Sequence, residues 1–96
     1  MSDEGTAPPQ QPAVQITVPD DAKRGEYANF LVVTHSPHEF TLDFCQVVTG
    51  TDPERMQAEV VSRVKLAPTM VGKVIRALND NLTGYEEKFG LVKEIG

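Results

Sequence analysis

Residues 27–48, YANFLVVTHSPHEFTLDFCQVV, decide the fold. The stretch holds two runs of β-branched and aromatic residues, and the turn signal Ser36-Pro37-His38 lies between them. Two such runs around a short turn predict a β-hairpin. A tight turn at this point predicts three cross-strand pairs: Val33 with Leu42, Leu31 with Phe44, and His35 with Phe40.

Alternation in this register sorts the hairpin side chains onto two faces. One face is apolar and consists of Leu31, Val33, Phe40, Leu42, Phe44 and Val48. The opposite face mixes apolar and polar residues: Phe30, Val32, Cys45 and Val47 with Thr34, Thr41 and Asp43. The second face carries too much apolar surface to be left in water, so we expect both faces to be covered.

The flanking sequence completes an α+β fold. Residues 14–18 and residues 58–66 alternate between apolar and polar positions, which predicts a short edge strand before the hairpin and a half-buried strand after it. From Pro68 onward, apolar residues recur every three or four positions until Gly90 and predict an amphipathic helix of about twenty residues. The expected architecture is an antiparallel four-stranded sheet in the order β-β-β-β-α, with the helix packed on one face.

Composition bounds the domain organisation and the compartment. Residues 1–12 are rich in proline and glutamine and predict a disordered tail, and residues 13–96 predict a single domain. The chain has a net charge of −5 and a lone cysteine, Cys45. It lacks an apolar run long enough for a membrane helix and shows no signal peptide, so we expect a cytoplasmic protein without membrane association.

Charge asymmetry suggests one candidate site. Residues 60–79 contain no acidic residue, and four cations in that segment could contact an anion or nucleic acid: Arg63, Lys65, Lys73 and Arg76. The acidic chain as a whole argues against general nucleic-acid binding. A solvated basic face remains the simpler interpretation.

Catalytic and metal chemistry find little support. His35, His38, Asp43 and Cys45 lack the spacing of a strong zinc motif, and the predicted register separates His35 from Cys45. Cys45 lies on a strand without an evident base, and no phosphate loop or catalytic triad is present. We predict no enzyme activity, no catalytic residue, no metal site and no cofactor.

The charge order along the predicted helix favours self-association. Arg76 lies toward the helix N-terminus, whereas Glu86 and Glu87 lie toward its C-terminus. Two such helices packed antiparallel would place Arg76 near Glu86 or Glu87 of the partner, twice by symmetry. The sequence therefore predicts a homodimer through the helix, the second sheet face, or both. The candidate interface residues are Phe30, Val32, Val47, Arg76, Glu86 and Glu87.

Several motifs together resemble a known family. They are Tyr27-Ala28-Asn29-Phe30, His35-Ser36-Pro37, Glu39-Phe40-x-Leu42-Asp43-Phe44, Ser62-Arg63-Val64, Arg76-Ala77-Leu78-x-x-Asn81 and Tyr85-Glu86-x-x-Phe89-Gly90. Residues 14–90 resemble a family of small uncharacterised bacterial and archaeal proteins, a domain of unknown function. The resemblance implies no activity or cofactor. It directs attention to Asn81 and to a cross-strand pairing of Asp43 with Arg63 as structural features.

The sequence thus favours a non-enzymatic, homo-oligomeric protein-interaction module. One alternative is a nucleic-acid-binding protein that uses the basic stripe on the last strand and helix. Another is a small-molecule or metal-binding protein centred on His35, His38 and Asp43.

Overall fold

Three antiparallel strands and one long helix form the fold. A computed structural model of the chain describes residues 13–48 and 54–94. The strands β1 (Phe30–His35), β2 (Phe40–Val48) and β3 (Gln57–Leu66) form a sheet in the order β1-β2-β3. The helix α1 (Pro68–Phe89) follows directly. The α+β class and the C-terminal helix are therefore as predicted.

The hairpin register matches the prediction. Val33 lies opposite Leu42, Leu31 opposite Phe44, and His35 opposite Phe40. Ser36 fixes the turn, because its Oγ accepts hydrogen bonds from the backbone N–H groups of His38 at 3.2 Å and Glu39 at 3.3 Å. Such local hydrogen bonds are the reason that serine favours turns.

The predicted fourth strand is wrong. Residues 13–19 have no strand structure, and a short 3₁₀ turn at Asp20–Ala22 follows them. Val14, Ile16 and Val18 alternate as a strand does, but all three side chains are exposed. A strand is stabilised by its neighbours, so alternation alone does not create one. The sheet therefore has three strands within the described residues. The predicted tail at 1–12 lies outside them.

A single residue, Ala67, joins β3 to α1. Its backbone is extended, with φ −63° and ψ 141°, and Pro68 occupies the first turn of the helix. Proline suits this position because its missing N–H has no partner there in any case. Pro68 also disfavours a helical backbone at Ala67, which makes the junction abrupt. The helix ends at Gly90, whose N–H donates to the Glu86 carbonyl oxygen at 2.9 Å.

Two helix glycines provide a matched stability prediction. Gly90 has a φ of 95°, a conformation that a side chain disfavours, whereas a Cβ at Gly84 would meet no atom within 4 Å. We expect Gly90→Ala to lower the free energy of unfolding by about 1–2 kcal/mol. We expect Gly84→Ala to raise it by up to about 1 kcal/mol, because alanine is the better helix former. Urea unfolding measures both, and equal effects would contradict the backbone assignment at Gly90.

The described part of the chain has very little buried core. Among its residues, only Cys45 and Leu66 are buried hydrophobics, while large apolar side chains of every strand and of the helix remain exposed. A soluble monomer rarely leaves such a surface in water. Within the described ranges, no helix combines the length and apolarity needed to cross a membrane. A single chain therefore leaves most of the large apolar side chains of its described residues exposed to solvent.

Candidate interaction surface

An open apolar groove lies between the sheet and the first half of α1. It has a volume of about 250 Å³. Nine residues line it, all of them apolar: Leu31, Val33, Phe40, Leu42 and Leu66 from the sheet, and Val71, Val74, Ile75 and Leu78 from the helix. We call this side of the sheet the groove face. It is the face that strand alternation predicted to be fully apolar.

The apolar stripe of α1 continues past the end of the groove. The helix lining stops at Leu78, but Leu82, Tyr85 and Phe89 follow at helical spacing. The rings of Tyr85 and Phe89 lie against each other, with centroids 4.9 Å apart. Phe89 is nonetheless 71% exposed. The C-terminal half of the helix therefore presents an apolar stripe that does not line its own chain's groove.

The opposite side of the sheet, which we call the outer face, contains three of the predicted interface residues. Phe30 and Val32 of β1 are exposed there, and Val47 of β2 is half-buried. Cys45, beside Phe30 in the register, is only 3% exposed. This half of the outer face is apolar, as predicted.

A charged pair occupies the other half of the outer face. Arg63 of β3 lies opposite Asp43 of β2. Its Nε donates to Asp43 Oδ1 at 2.6 Å and its Nη2 donates to Oδ2 at 3.0 Å. The two parallel hydrogen bonds make a bidentate ion pair, the strongest geometry for these groups. The predicted cross-strand pairing of Asp43 with Arg63 is confirmed. The Asp43 side chain is only 14% exposed, so this pairing satisfies a largely covered carboxylate.

The ion pair also makes sheet stability depend on pH. Hydrogen bonds from Arg63 hold the pKa of the Asp43 carboxyl below its usual value; desolvation opposes this shift, and the charges of Arg63 and Lys65 add to it. A carboxyl with a lowered pKa in the folded state stabilises that state above its unfolded pKa of about 3.9. The contribution is lost as the pH falls through the lower, folded pKa.

We therefore expect Asp43→Asn to remove part of the acid sensitivity of the fold. Urea midpoints of the unmodified protein should fall as the pH drops below about 4, and the Asp43→Asn protein should show a shallower decline. Arg63→Met, which removes the hydrogen-bond donor, should flatten the same part of the curve. If both variants keep the same dependence of the urea midpoint on pH, the Asp43–Arg63 pair is not the source of the acid sensitivity.

The four predicted anion-contacting cations do not share one surface. Arg63 and Lys65 point to the outer face, where Lys65 Nζ lies 3.5 Å from Glu39 Oε1 and 3.1 Å from Thr41 Oγ1. Lys73 and Arg76 lie on α1, on the side of the helix that points away from the groove. The sheet therefore separates the two pairs of cations.

The predicted helix charges are also distributed around the helix. At 100° per residue, Arg76 and Glu87 point about 150° or more away from the centre of the apolar stripe, whereas Glu86 flanks it. The backbone N–H of Val92 donates to Glu86 Oε2 at 3.0 Å, so Glu86 also anchors the residues after the helix. Asn81 Nδ2 donates to the Ala77 carbonyl oxygen at 2.9 Å, as expected of a structural residue. The Arg76–Glu87 pairing would therefore use the polar side of the helix.

The candidate metal and nucleophile residues make ordinary structural contacts. The His35 ring stacks on Phe40 with centroids 5.3 Å apart. The Cys45 thiol donates to the Asp43 carbonyl oxygen at 3.4 Å. In residues 13–48 and 54–94, no three His, Cys, Asp or Glu side chains come together as metal ligands. These contacts stabilise the sheet.

Comparison with known proteins places the chain in a family. The model of a family described as a protein of unknown function, DUF3467, matches residues 1–94. The chain belongs to this family. No curated protein and no solved structure matches it. The predicted resemblance to an uncharacterised domain family is therefore confirmed, and membership in DUF3467 assigns no activity.

The sequence did not single out the groove as a site. Each of its walls was predicted separately, as a sheet face and as a helix stripe. A covered core would have satisfied both patterns equally well, because apolar periodicity records burial and not the identity of the covering element. The one available signal was the length of the stripe, which extends past what a short sheet can cover.

Proposed function

We propose that this DUF3467 chain is a non-enzymatic protein-interaction module that binds its own copies. The observation that carries the proposal is the uncovered groove and helix stripe in a chain whose described residues bury only Cys45 and Leu66. Folded domains remain stable by a small margin, and apolar burial supplies most of it. A second copy provides the burial that one chain lacks, which is a common solution for small domains.

Two further observations fit a binding role better than catalysis. The single thiol, Cys45, is buried and its S–H group is engaged with backbone. The groove is lined by apolar residues alone. An active site needs converging polar groups to move protons or stabilise charge, and an apolar groove has none to offer. A reducing compartment such as the cytoplasm suits the unpaired thiol.

Sedimentation equilibrium tests the proposal directly. Across about 1–100 µM, a range that covers typical homodimer affinities, we expect a species of twice the 10.5 kDa chain mass. The thermal midpoint should rise with protein concentration, since association stabilises the folded state by mass action. A monomer throughout this range, with a concentration-independent midpoint, would refute self-association.

A further inference from the structure

The apolar stripe of α1 has the spacing of a helix–helix seam. It contains residues at intervals of four, three, four, three and four: Val71, Ile75, Leu78, Leu82, Tyr85 and Phe89. Val74 widens the apolar face in the half of the helix that borders the groove. This is the a/d repeat by which one helix packs against another. A helix that only covers a sheet uses a broader and less regular apolar face. Past Leu78, where α1 no longer borders the groove, only the narrow repeat remains, and this indicates a second helix as the partner.

Each chain carries both parts of such a contact. The N-terminal half of α1 borders the groove, and the C-terminal half extends the stripe past it. If two helices pair so that Val71 of one meets Phe89 of the other, the two-fold axis passes beside residue 80. The projecting half of each helix then lies over the partner's groove. A two-fold contact uses the same surface of both copies, so the apolar stripe of each helix is covered along its whole length.

The charges along α1 favour the antiparallel direction. The N-terminal half contains Lys73 and Arg76, for a net charge of +2. The C-terminal half contains Asp80, Glu86, Glu87 and Lys88, for a net charge of −2. Only Glu86 and Lys88 flank the seam, and the other charges point away from it, so this preference acts through the net charge of each half. An antiparallel pair places halves of opposite net charge at the same level, and the antiparallel helix dipoles also attract. A parallel pair would instead place the two positive halves at one level and the two negative halves at the other.

The outer face is the weaker candidate for the contact. The bidentate pair of Arg63 and Asp43 occupies one half of it, with Lys65 beside Glu39 and Thr41. Burying these groups under a partner would remove their water without offering new hydrogen bonds. Burying the groove face has no such desolvation cost, because the residues that line it are apolar.

We infer that the occupant of the groove is the C-terminal half of α1 from a second copy of this chain, packed antiparallel to the first helix. This inference rests on the proposed self-association and specifies its surface and direction. Each groove is then completed by residues of the other copy, chiefly Leu82, Tyr85 and Phe89.

Spin-label distances distinguish the two directions. Asn81 and Lys88 lie seven residues apart on the same flank of the seam, so a parallel pair gives equal distances at both positions. In the antiparallel pair centred at residue 80, the two copies of residue 81 are nearly level. The two copies of residue 88 are offset by about 24 Å along the axis, at 1.5 Å per residue.

Pulsed electron resonance on full-length Asn81→Cys and Lys88→Cys proteins should give a short distance at 81 and one longer by at least about 10 Å at 88, allowing for label motion. Native Cys45 is 3% exposed and should stay unlabelled, which the unmodified protein verifies. A dimer with equal distances overturns the antiparallel pairing, whereas a monomer overturns self-association itself.

A matched pair of variants tests the surface independently of labels. We expect Phe89→Asp to weaken the dimer by at least about 100-fold, because it places a carboxylate in the partner's groove. Leu91→Asp adds the same charge two residues later, at a side chain that is 85% exposed and outside the seam. It should change the dissociation constant by less than about 3-fold. Equal effects, or an intact Phe89→Asp dimer, would overturn the assignment of the groove.

Discussion

Leu78→Asp is expected to abolish the proposed dimer and to leave most of the chain unfolded. Leu78 lines the groove yet is 67% exposed in the single chain. If the chain acted alone, an aspartate there would be close to neutral, within about 0.5 kcal/mol. In the antiparallel pair the carboxylate would be buried at the middle of the seam, once in each copy. Burying an unpaired carboxylate costs several kcal/mol.

Circular dichroism and sedimentation at one concentration measure both outcomes. Thr83→Asp is the control, because Thr83 lies on α1 more than 100° from the centre of the stripe and has a helix propensity similar to that of aspartate. We expect this control to keep the helical signal and the dimer. A folded, dimeric Leu78→Asp protein would show that residue 78 stays exposed to solvent and that the helices do not pair through this stripe.

Leu42→Ala is expected to have the second largest effect, a loss of about 2–4 kcal/mol in the free energy of unfolding. Leu42 lies on the central strand at the floor of the groove, between Val33 and Val64 in the register. Its side chain is only half-buried in one chain, so the isolated chain predicts a smaller loss. Cover by the partner's helix in the proposed dimer is the reason for the larger expected loss.

Val32→Ala provides the comparison on the outer face. Val32 is exposed and lies opposite Asp43, so the loss should stay below about 1 kcal/mol. Urea unfolding at matched concentrations gives both values. A larger loss of unfolding free energy in Val32→Ala than in Leu42→Ala would indicate that copies associate through the outer face.

Sequence patterns predicted the local elements well and their assembly less well. The hairpin register was predictable because Ser36-Pro37-His38 sets the turn and alternation leaves one pairing with a fully apolar face. Residues 14–18 alternate just as clearly, yet they form no strand. A hairpin carries its own partner, whereas a lone strand depends on an edge that the pattern does not specify.

The candidate site shows the same limit. The order of charges along α1 is visible in the sequence and points to antiparallel pairing. The direction of each side chain around the helix decides whether it can take part: Glu86 flanks the stripe, whereas Arg76 and Glu87 point away from it. The split of the basic residues between two sides of the sheet also depends on where the helix lies. Helical periodicity alone gives the direction of each charge. The placement of the helix relative to the sheet depends on the packing of elements, which no local pattern encodes.

Because a single residue, Ala67, joins β3 to α1, a small rotation at this junction displaces the far end of the helix. The helix has 22 residues and a length of about 33 Å, so a rotation of about 10° at the junction would move its far end by about 6 Å, more than the width of a side chain. Pro68 makes this junction stiffer, because it restricts the backbone of Ala67. In the proposed dimer, the position of Phe89 in the partner's groove would thus depend on the torsion angles of one alanine more than twenty residues earlier.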